Sequence, residues 1–193
     1  MTQQLGMAAA LEAVAAWLEA LPAPAMVIGG VAVIAHGVAR QTRDIDVTVR
    51  AGDMTLSALI EAAAAHAITP RIPHAEEFAR SSQVLLLSHG PTGTPVDASM
   101  AWLPFEDEAL ARASWTSLGK VRVRVATAQD LVIYKAVAWR ERDRDDIERL
   151  LALHAGVIDL ESVRQRVTEF AEALDAPERV VEFERLLARS IPK

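Results

Sequence analysis

Two aspartates one residue apart constrain this chain more than any other feature of its sequence. Asp44 and Asp46 flank Ile45 in the segment Asp44–Val49, whose β-branched residues predict a strand. Alternate residues of a strand project to the same face, so the two carboxylates are expected side by side. Because like charges this close repel, a folded chain tolerates them best with a cation between them. The pair therefore predicts a cation site at the start of a strand.

A pair of glycines precedes the aspartates. Gly29 and Gly30 follow a predicted buried strand, Ala25–Ile28, and stand at the start of a short predicted helix. Glycine at a strand-to-helix junction lets a phosphate approach backbone N–H groups, although many such turns need glycine for steric reasons alone. The helix returns the chain to Arg40 and Thr42, which could contact phosphate or their own turn. The combination predicts a site for a metal-bound nucleoside triphosphate.

Composition limits the class of protein. The chain has 193 residues, of which 51% are hydrophobic and 24% charged, so it can bury the core of a folded domain. A net charge of −6 argues against broad nucleic-acid binding but leaves room for a local basic groove. The absence of cysteine excludes disulfides and thiolate chemistry. No uninterrupted apolar run reaches the roughly 20 residues that span a bilayer. Since no basic leader follows Met1 either, we expect a cytoplasmic protein without a membrane partner.

The periodicity of apolar residues predicts an α/β (α+β) fold. An alanine-rich helix occupies residues 1–24, a core 25–126, and a helical part 127–193 packs on that core as one integrated unit. We expect Asp53 to cap the helix after the acidic strand, and one long helix over Ala128–Leu153. The predicted strands are 25–28, 44–49, 83–88, 94–101 and 120–125.

Asp97 is a third acid in a predicted strand. It stands alone in the apolar segment Thr94–Ala101, where an acid faces either a polar site or solvent. A two-metal site needs a group on a neighbouring element to complete it, and Asp97 could supply that group. The alternative is that all three aspartates lie on solvent-exposed strand faces. Aspartate is depleted in strands, which favours the site.

These residues resemble a known signature. The order Gly29-Gly30, then Arg40-x-Thr42-x-Asp44-Ile45-Asp46, is similar to the motif of the DNA polymerase β-like nucleotidyltransferase superfamily. Within it, the chain resembles the minimal bacterial branch that includes AbiEii-type toxins. The resemblance covers roughly residues 25–151 and implies a small mixed β-sheet core flanked by helices. It implies Mg²⁺ (or Mn²⁺) as cofactor, bound by Asp44, Asp46 and Asp97. It also implies a nucleotide site formed by Gly29, Gly30, Arg40, Thr42 and Lys135.

A second segment supports the branch. Asp130–Ile147 resembles the family's helical motif of a lysine, a small residue, an arginine and spaced aspartates. On an unbroken helix, five of its side chains fall within a sector of about 100°; these are Lys135, Trp139, Arg142, Asp143 and Asp146. The resemblance implies that Lys135 is catalytic and offsets charge on the leaving group, with supporting positions at Arg142, Asp143 and Asp146. The alternative is a solvated face of ion pairs one helical turn apart.

The resemblance implies a metal-dependent nucleotidyltransferase. Such an enzyme transfers a nucleoside monophosphate from an NTP such as ATP to an acceptor hydroxyl of RNA, protein or a small molecule, with RNA or protein favoured here. Asp97 is the expected base. The toxin branch further implies an antitoxin partner. The alternative is a catalytically inert module of the same fold that binds nucleotide or a partner, and the intact set of three aspartates argues against it.

Overall fold

The acidic segment lies in the middle strand of a seven-stranded mixed sheet. The computed structural model describes residues 2–190, and the side chains of residues 5–190. The strands are β1 (Ala25–Ile28), β2 (Ile45–Val49), β3 (Ile68–Pro70), β4 (Val84–His89), β5 (Thr94–Met100), β6 (Ser114–Leu118) and β7 (Val121–Val125). They lie in the order β3-β4-β5-β2-β1-β7-β6. The predicted α/β class with a small mixed sheet is confirmed, and the apolar pattern fails to predict only β3 and β6 among these strands.

The register of the sheet decides where the acids lie. β1 runs antiparallel to β2, with Ile28 opposite Asp46, and β2 runs parallel to β5, with Asp46 opposite Asp97. β4 runs antiparallel to β5 and places Leu86 opposite Asp97. Residues opposite each other on neighbouring strands project to the same face of a sheet. Asp46 and Asp97 therefore share one face, as direct neighbours across β2 and β5.

The described chain divides into two compact units. The first consists of the residues up to Ala35 together with Arg40–Ala126, and the second of His36–Ala39 together with the residues from Thr127 onward. The prediction that the C-terminal part and the core form one integrated unit stays a prediction. The helices of the first unit are α1 (Thr2–Ala20), α2 (Gly29–Ala35), α3 (Leu56–Ala64), α4 (Ala75–Ser82) and α5 (Pro104–Arg112).

The core of the first unit is built from α1, α3 and the buried residues of the strands. Trp17 of α1, Met26 of β1 and Leu59 of α3 are fully buried, as is Leu85 of β4. The residues of β5 alternate between buried and half-buried along the strand, with Asp97 at one of the half-buried positions. This alternation is typical of a strand with one face on the core and one open face, and Asp97 lies on the open face.

The start of α3 corrects one prediction. Its N-cap is Thr55, whose Oγ1 accepts a hydrogen bond of 3.1 Å from the backbone N–H of Ala58. Asp53 is exposed in the preceding loop, so the prediction of an Asp53 cap is wrong. The physical reason is position, since a capping side chain must come directly before the first helical residue to reach the N–H groups of the first turn.

The second unit is helical, and its first predicted helix is broken in two. Its helices are α6 (Ala128–Ala138), α7 (Glu141–His154), α8 (Leu160–Ala173) and α9 (Glu178–Ser190). The predicted single helix Ala128–Leu153 is therefore wrong. Trp139 ends α6 with φ 53° in the left-handed region, and its N–H donates to Lys135 O over 2.8 Å. Arg140 then begins α7, since its N–H donates to the Asp143 carboxylate over 3.1 Å. Among the helices of residues 2–190, none is both long and apolar enough to cross a bilayer.

Candidate functional site

Gly29 and Asp46 meet where β1 gives way to α2. Gly29 has φ +61°, a backbone conformation that favours glycine. A Cβ atom built on Gly29 would lie 1.9 Å from Asp46 Oδ2 and 2.6 Å from Asp46 Cγ. Any larger residue would therefore collide with the carboxylate. The glycine that sequence analysis assigns to phosphate binding and the acid assigned to metal binding are in direct contact.

At Gly30 a glycine is required because there is no room for a side chain, and not because of its backbone conformation. A Cβ atom at this position would lie 2.5 Å from Thr42 Oγ1 and 3.1 Å from Arg40 Nη2. Both neighbours are residues that the signature predicts at the nucleotide, and both come from the segment between α2 and β2. The structure thus brings together three of the predicted nucleotide-binding residues. Gly30 itself is buried, whereas Thr42 and Arg40 are half-buried.

Thr42 also orients the first acid of the pair. Its hydroxyl donates to Asp44 Oδ1 over 2.7 Å, and its Oγ1 lies 3.4 Å from the backbone oxygen of Asp44. Asp44 lies just before β2 and, like Asp46, is half-buried. A carboxylate fixed by a hydroxyl and still open to solvent is suited to bind a cation without a change of rotamer. Thr42 is consequently shared between the glycine turn and the acidic pair.

Asp97 has a partner that sequence analysis misses. The carboxylate of Asp97 forms an ion pair with Nη1 of Arg71, which follows β3 directly. The two residues are 26 positions apart in the chain, and no motif spacing connects them. Only the pairing of β3 with β4 and of β4 with β5 brings them together. Proline on both sides of Arg71, at positions 70 and 73, marks a turn there but gives no sign of its partner.

The donor set fits a divalent cation at the acidic pair. Half-buried carboxylates on a glycine-lined turn offer the oxygen ligands that Mg²⁺ prefers, and substrate phosphates commonly complete its coordination. Asp44 and Asp46 are such carboxylates. Within the described residues, however, no group of three or more acidic or histidine side chains is arranged to hold a metal ion. The pair thus fits a metal that the substrate helps to bind, and Asp97 does not join it in this structure.

Lys135 lies in a buried ion-pair cluster of the second unit. Its Nζ is 3.1 Å from Asp143 Oδ1 and 2.7 Å from Asp146 Oδ2, and the three side chains are between 4% and 11% exposed. The cluster ties α6 to α7 across the helix break. Arg142 is exposed on α7. The ammonium group of Lys135 thus pairs with two carboxylates in this structure. A contact between Lys135 and a nucleotide stays a prediction.

Comparison with known proteins identifies a matching family. A family model described as "Nucleotidyltransferase of unknown function (DUF6036)" matches residues 9–188, which is most of the chain. Among curated proteins, no sequence matches this chain significantly. The match includes the glycine turn, all three aspartates and the ion-pair cluster.

Two solved structures share the fold. The crystal structure of ANT(2'')-Ia in complex with adenylyl-2''-tobramycin has a TM-score of 0.56 at 18% identity, over 89% of this chain and 98% of that one. The solution structure of the antibiotic-resistance factor ANT(2'')-Ia has a TM-score of 0.57 at 16% identity, over 95% of this chain and 98% of that one. At such identities the likeness shows a common fold.

Proposed function

This chain belongs to the DUF6036 family of nucleotidyltransferases, and on that premise we propose that it transfers a nucleoside monophosphate from a metal-bound NTP to an acceptor hydroxyl. One observation carries the proposal: the space for a Cβ at Gly29 is taken by the carboxylate of Asp46. A glycine turn that presents backbone N–H groups, with an acid packed against it, lets phosphate and cation bind side by side.

In this proposal, different residues of the first unit bind the phosphates and the metal ion. The backbone of Gly29 and Gly30 would contact the β- and γ-phosphates. The side chains of Arg40 and Thr42 lie beside Gly30 and would contact the same phosphates. Asp44, fixed by Thr42, and Asp46 would hold the Mg²⁺. When bound, Mg²⁺ supplies positive charge that offsets the phosphate oxygens and orients the triphosphate for in-line attack.

The reaction exchanges one phosphorus–oxygen bond for another. The acceptor oxygen attacks the α-phosphorus, the bond to the β-phosphate oxygen breaks, and pyrophosphate leaves with that electron pair. The proton of the acceptor hydroxyl passes to a carboxylate on the face of the sheet that carries Asp46 and Asp97. Positioning and charge stabilisation by a preorganised turn supply most of the catalysis in reactions of this kind.

The acceptor is proposed from two resemblances. The similarity to AbiEii-type toxins favours RNA or protein, and it carries with it a toxin role and an antitoxin partner. The adenylyl-2''-tobramycin in the ANT(2'')-Ia complex instead favours a hydroxyl of a small molecule. Incubation with α-labelled NTPs and each class of acceptor distinguishes them, because only the true acceptor gains label. Growth arrest on expression, relieved by a cognate protein, tests the toxin role separately.

Nucleotide binding to acid-to-amide variants tests the proposed function. We expect calorimetric titration of the four NTPs to show binding that depends on Mg²⁺ and that is lost in Asp46→Asn, because the amide cannot neutralise the cation. The matched control is Asp53→Asn, since Asp53 is an exposed loop residue. Binding that survives in Asp46→Asn, or equal losses in both variants, would contradict the proposal. Binding without transfer to any acceptor would support the inert-module alternative.

A further inference from the structure

Arg71 is anchored firmly at the open face of the sheet. Its backbone N–H donates to Leu86 O over 3.1 Å and so extends the β3–β4 ladder by one residue. Its Nη1 donates to Leu87 O over 2.8 Å, lies 3.4 Å from Val96 O, and pairs with the carboxylate of Asp97. Main-chain and side-chain contacts thus hold the Arg71 guanidinium beside Asp97 on β5.

The ion pair supplies Asp97 with a cation from the chain itself. Asp97 and Asp46 are opposite each other on β5 and β2, so their negative charges repel unless a positive charge offsets them. The side chains of Arg71 and Asp97 are 28% and 30% exposed, which places the pair at the border of the solvent. Among the described residues, the cation that lies beside the Asp97 carboxylate is the Arg71 guanidinium.

Some N–H donors of the Arg71 guanidinium are not used in the contacts described above. An arginine side chain carries five N–H donors in a planar fork, and only those on Nη1 have acceptors among the described residues. The remaining donors, on Nε and Nη2, form the pair of groups that binds phosphate in a bidentate manner. Because its Nη1 is held by the protein and its Nε and Nη2 are not, the Arg71 side chain is preorganised to bind an anionic ligand.

We infer that Arg71 is a further phosphate-binding residue of this site and occupies, at Asp97, the place of a second cation. This inference rests on the proposed function and deepens it. The site then takes one divalent ion, at Asp44 and Asp46, and Asp97 is a positioning residue that holds Arg71 toward the triphosphate. The resemblance implies a different role for Asp97, that of a third metal ligand and base.

Calorimetry with Mn²⁺ and a non-hydrolysable NTP analogue tests this inference on the full chain. We expect the wild type to bind one Mn²⁺ in the presence of the analogue, and Asp97→Asn to retain the same Mn²⁺ affinity. Arg71→Met should lower the affinity for the analogue at least about tenfold, with and without Mn²⁺, because a charged bidentate contact is lost. The matched control is Arg80→Met on α4, where the arginine pairs with Glu76 at the surface. We expect it to change nothing.

The outcomes separate this inference from the proposed function. If Asp97→Asn lowers Mn²⁺ affinity as far as Asp46→Asn does, Asp97 is a metal ligand, and the inference is overturned while the proposed function stands. If Arg71→Met behaves like Arg80→Met, the phosphate contact is refuted. Should Arg71→Met fail to fold, Arg71→Lys keeps a charge beside Asp97, lacks the fork of donors and should still lose affinity. A wild type that binds neither Mn²⁺ nor the analogue overturns both proposals.

Discussion

Replacement of Gly29 by alanine is the sharpest test of how the turn and the acid fit together. At φ +61° an alanine is disfavoured by about 1–2 kcal/mol relative to glycine. The new methyl group would also lie 1.9 Å from Asp46 Oδ2, so the carboxylate must move. Forcing extra atoms into a packed position typically destabilises a protein by about 1–3 kcal/mol. We therefore expect Gly29→Ala to lower the free energy of unfolding by roughly 2–5 kcal/mol.

A matched glycine separates the two contributions. Gly119, in the turn between β6 and β7, has φ +62° but no atom within 4 Å of a built Cβ. Gly119→Ala should therefore be destabilised by the backbone contribution alone, about 1–2 kcal/mol. Urea unfolding followed by tryptophan fluorescence measures both variants, and the buried Trp17 is a suitable reporter.

A double-mutant cycle completes the test. In an Asp46→Ala background the nearest atom to the new methyl is the Cβ of residue 46, at 2.8 Å instead of 1.9 Å. We expect Gly29→Ala to be less destabilising there by at least about 1 kcal/mol. Equal destabilisation by Gly29→Ala and Gly119→Ala, together with no coupling to residue 46, would refute the reasoning.

Two further predictions concern stability. Lys135→Met should lower the free energy of unfolding by about 3–5 kcal/mol, because it removes the buried ammonium group that pairs with Asp143 and Asp146. The exposed Lys120→Met should have little effect in the same denaturation assay, and an equal loss in both would contradict the buried-cluster argument. Burial lowers the pKa of His89 from 6.5, so the unfolded state binds the proton more readily, and stability should fall as the pH drops below 6.5. His89→Gln should reduce that slope, which for one proton is at most about 1.4 kcal/mol per pH unit, and an unchanged slope would contradict the assignment to His89.

The strands that carry the site could be predicted because their patterns are strong. Asp44–Val49 has a β-branched residue at every position apart from its two acids, and the structure has a strand over all of this segment except Asp44. β3 and β6 have no such pattern, because both are edge strands. β3 has three residues and ends in a proline, and β6 is mostly exposed and rich in serine and threonine. Apolar periodicity reports burial, so it is weakest where a strand buries least.

The break between α6 and α7 could not be predicted for a different reason. Helix ends are usually recognised by glycine or proline, and Trp139-Arg140 has neither. The left-handed conformation of Trp139 is favoured instead by tertiary contacts within the second unit. Its indole N–H donates to Glu182 over 2.6 Å, and its ring meets Phe183 at an edge-to-face angle. Such contacts depend on the position of α9, which no local pattern encodes.

The candidate site was predictable where it is local in sequence and not where it depends on register. Gly30, Thr42 and Asp44 lie within one strand–helix–strand segment, so their proximity follows from short connections. Arg71 reaches Asp97 only because three strands pair in a particular register, and a shift of one residue would turn Asp97 to the opposite face.

The position of β1 in the sheet has a consequence for synthesis on the ribosome. Its partner β2 follows closely in the chain, but its other neighbour is β7, and the N–H of Ala126 donates to Val27 O over 3.1 Å. Until residue 126 of 193 has emerged, one edge of this strand lacks its partner. Met26 and Val27 of that strand are fully buried in the finished protein. A nascent chain, or a fragment cut before β7, thus presents an apolar edge on which other chains can pair and aggregate.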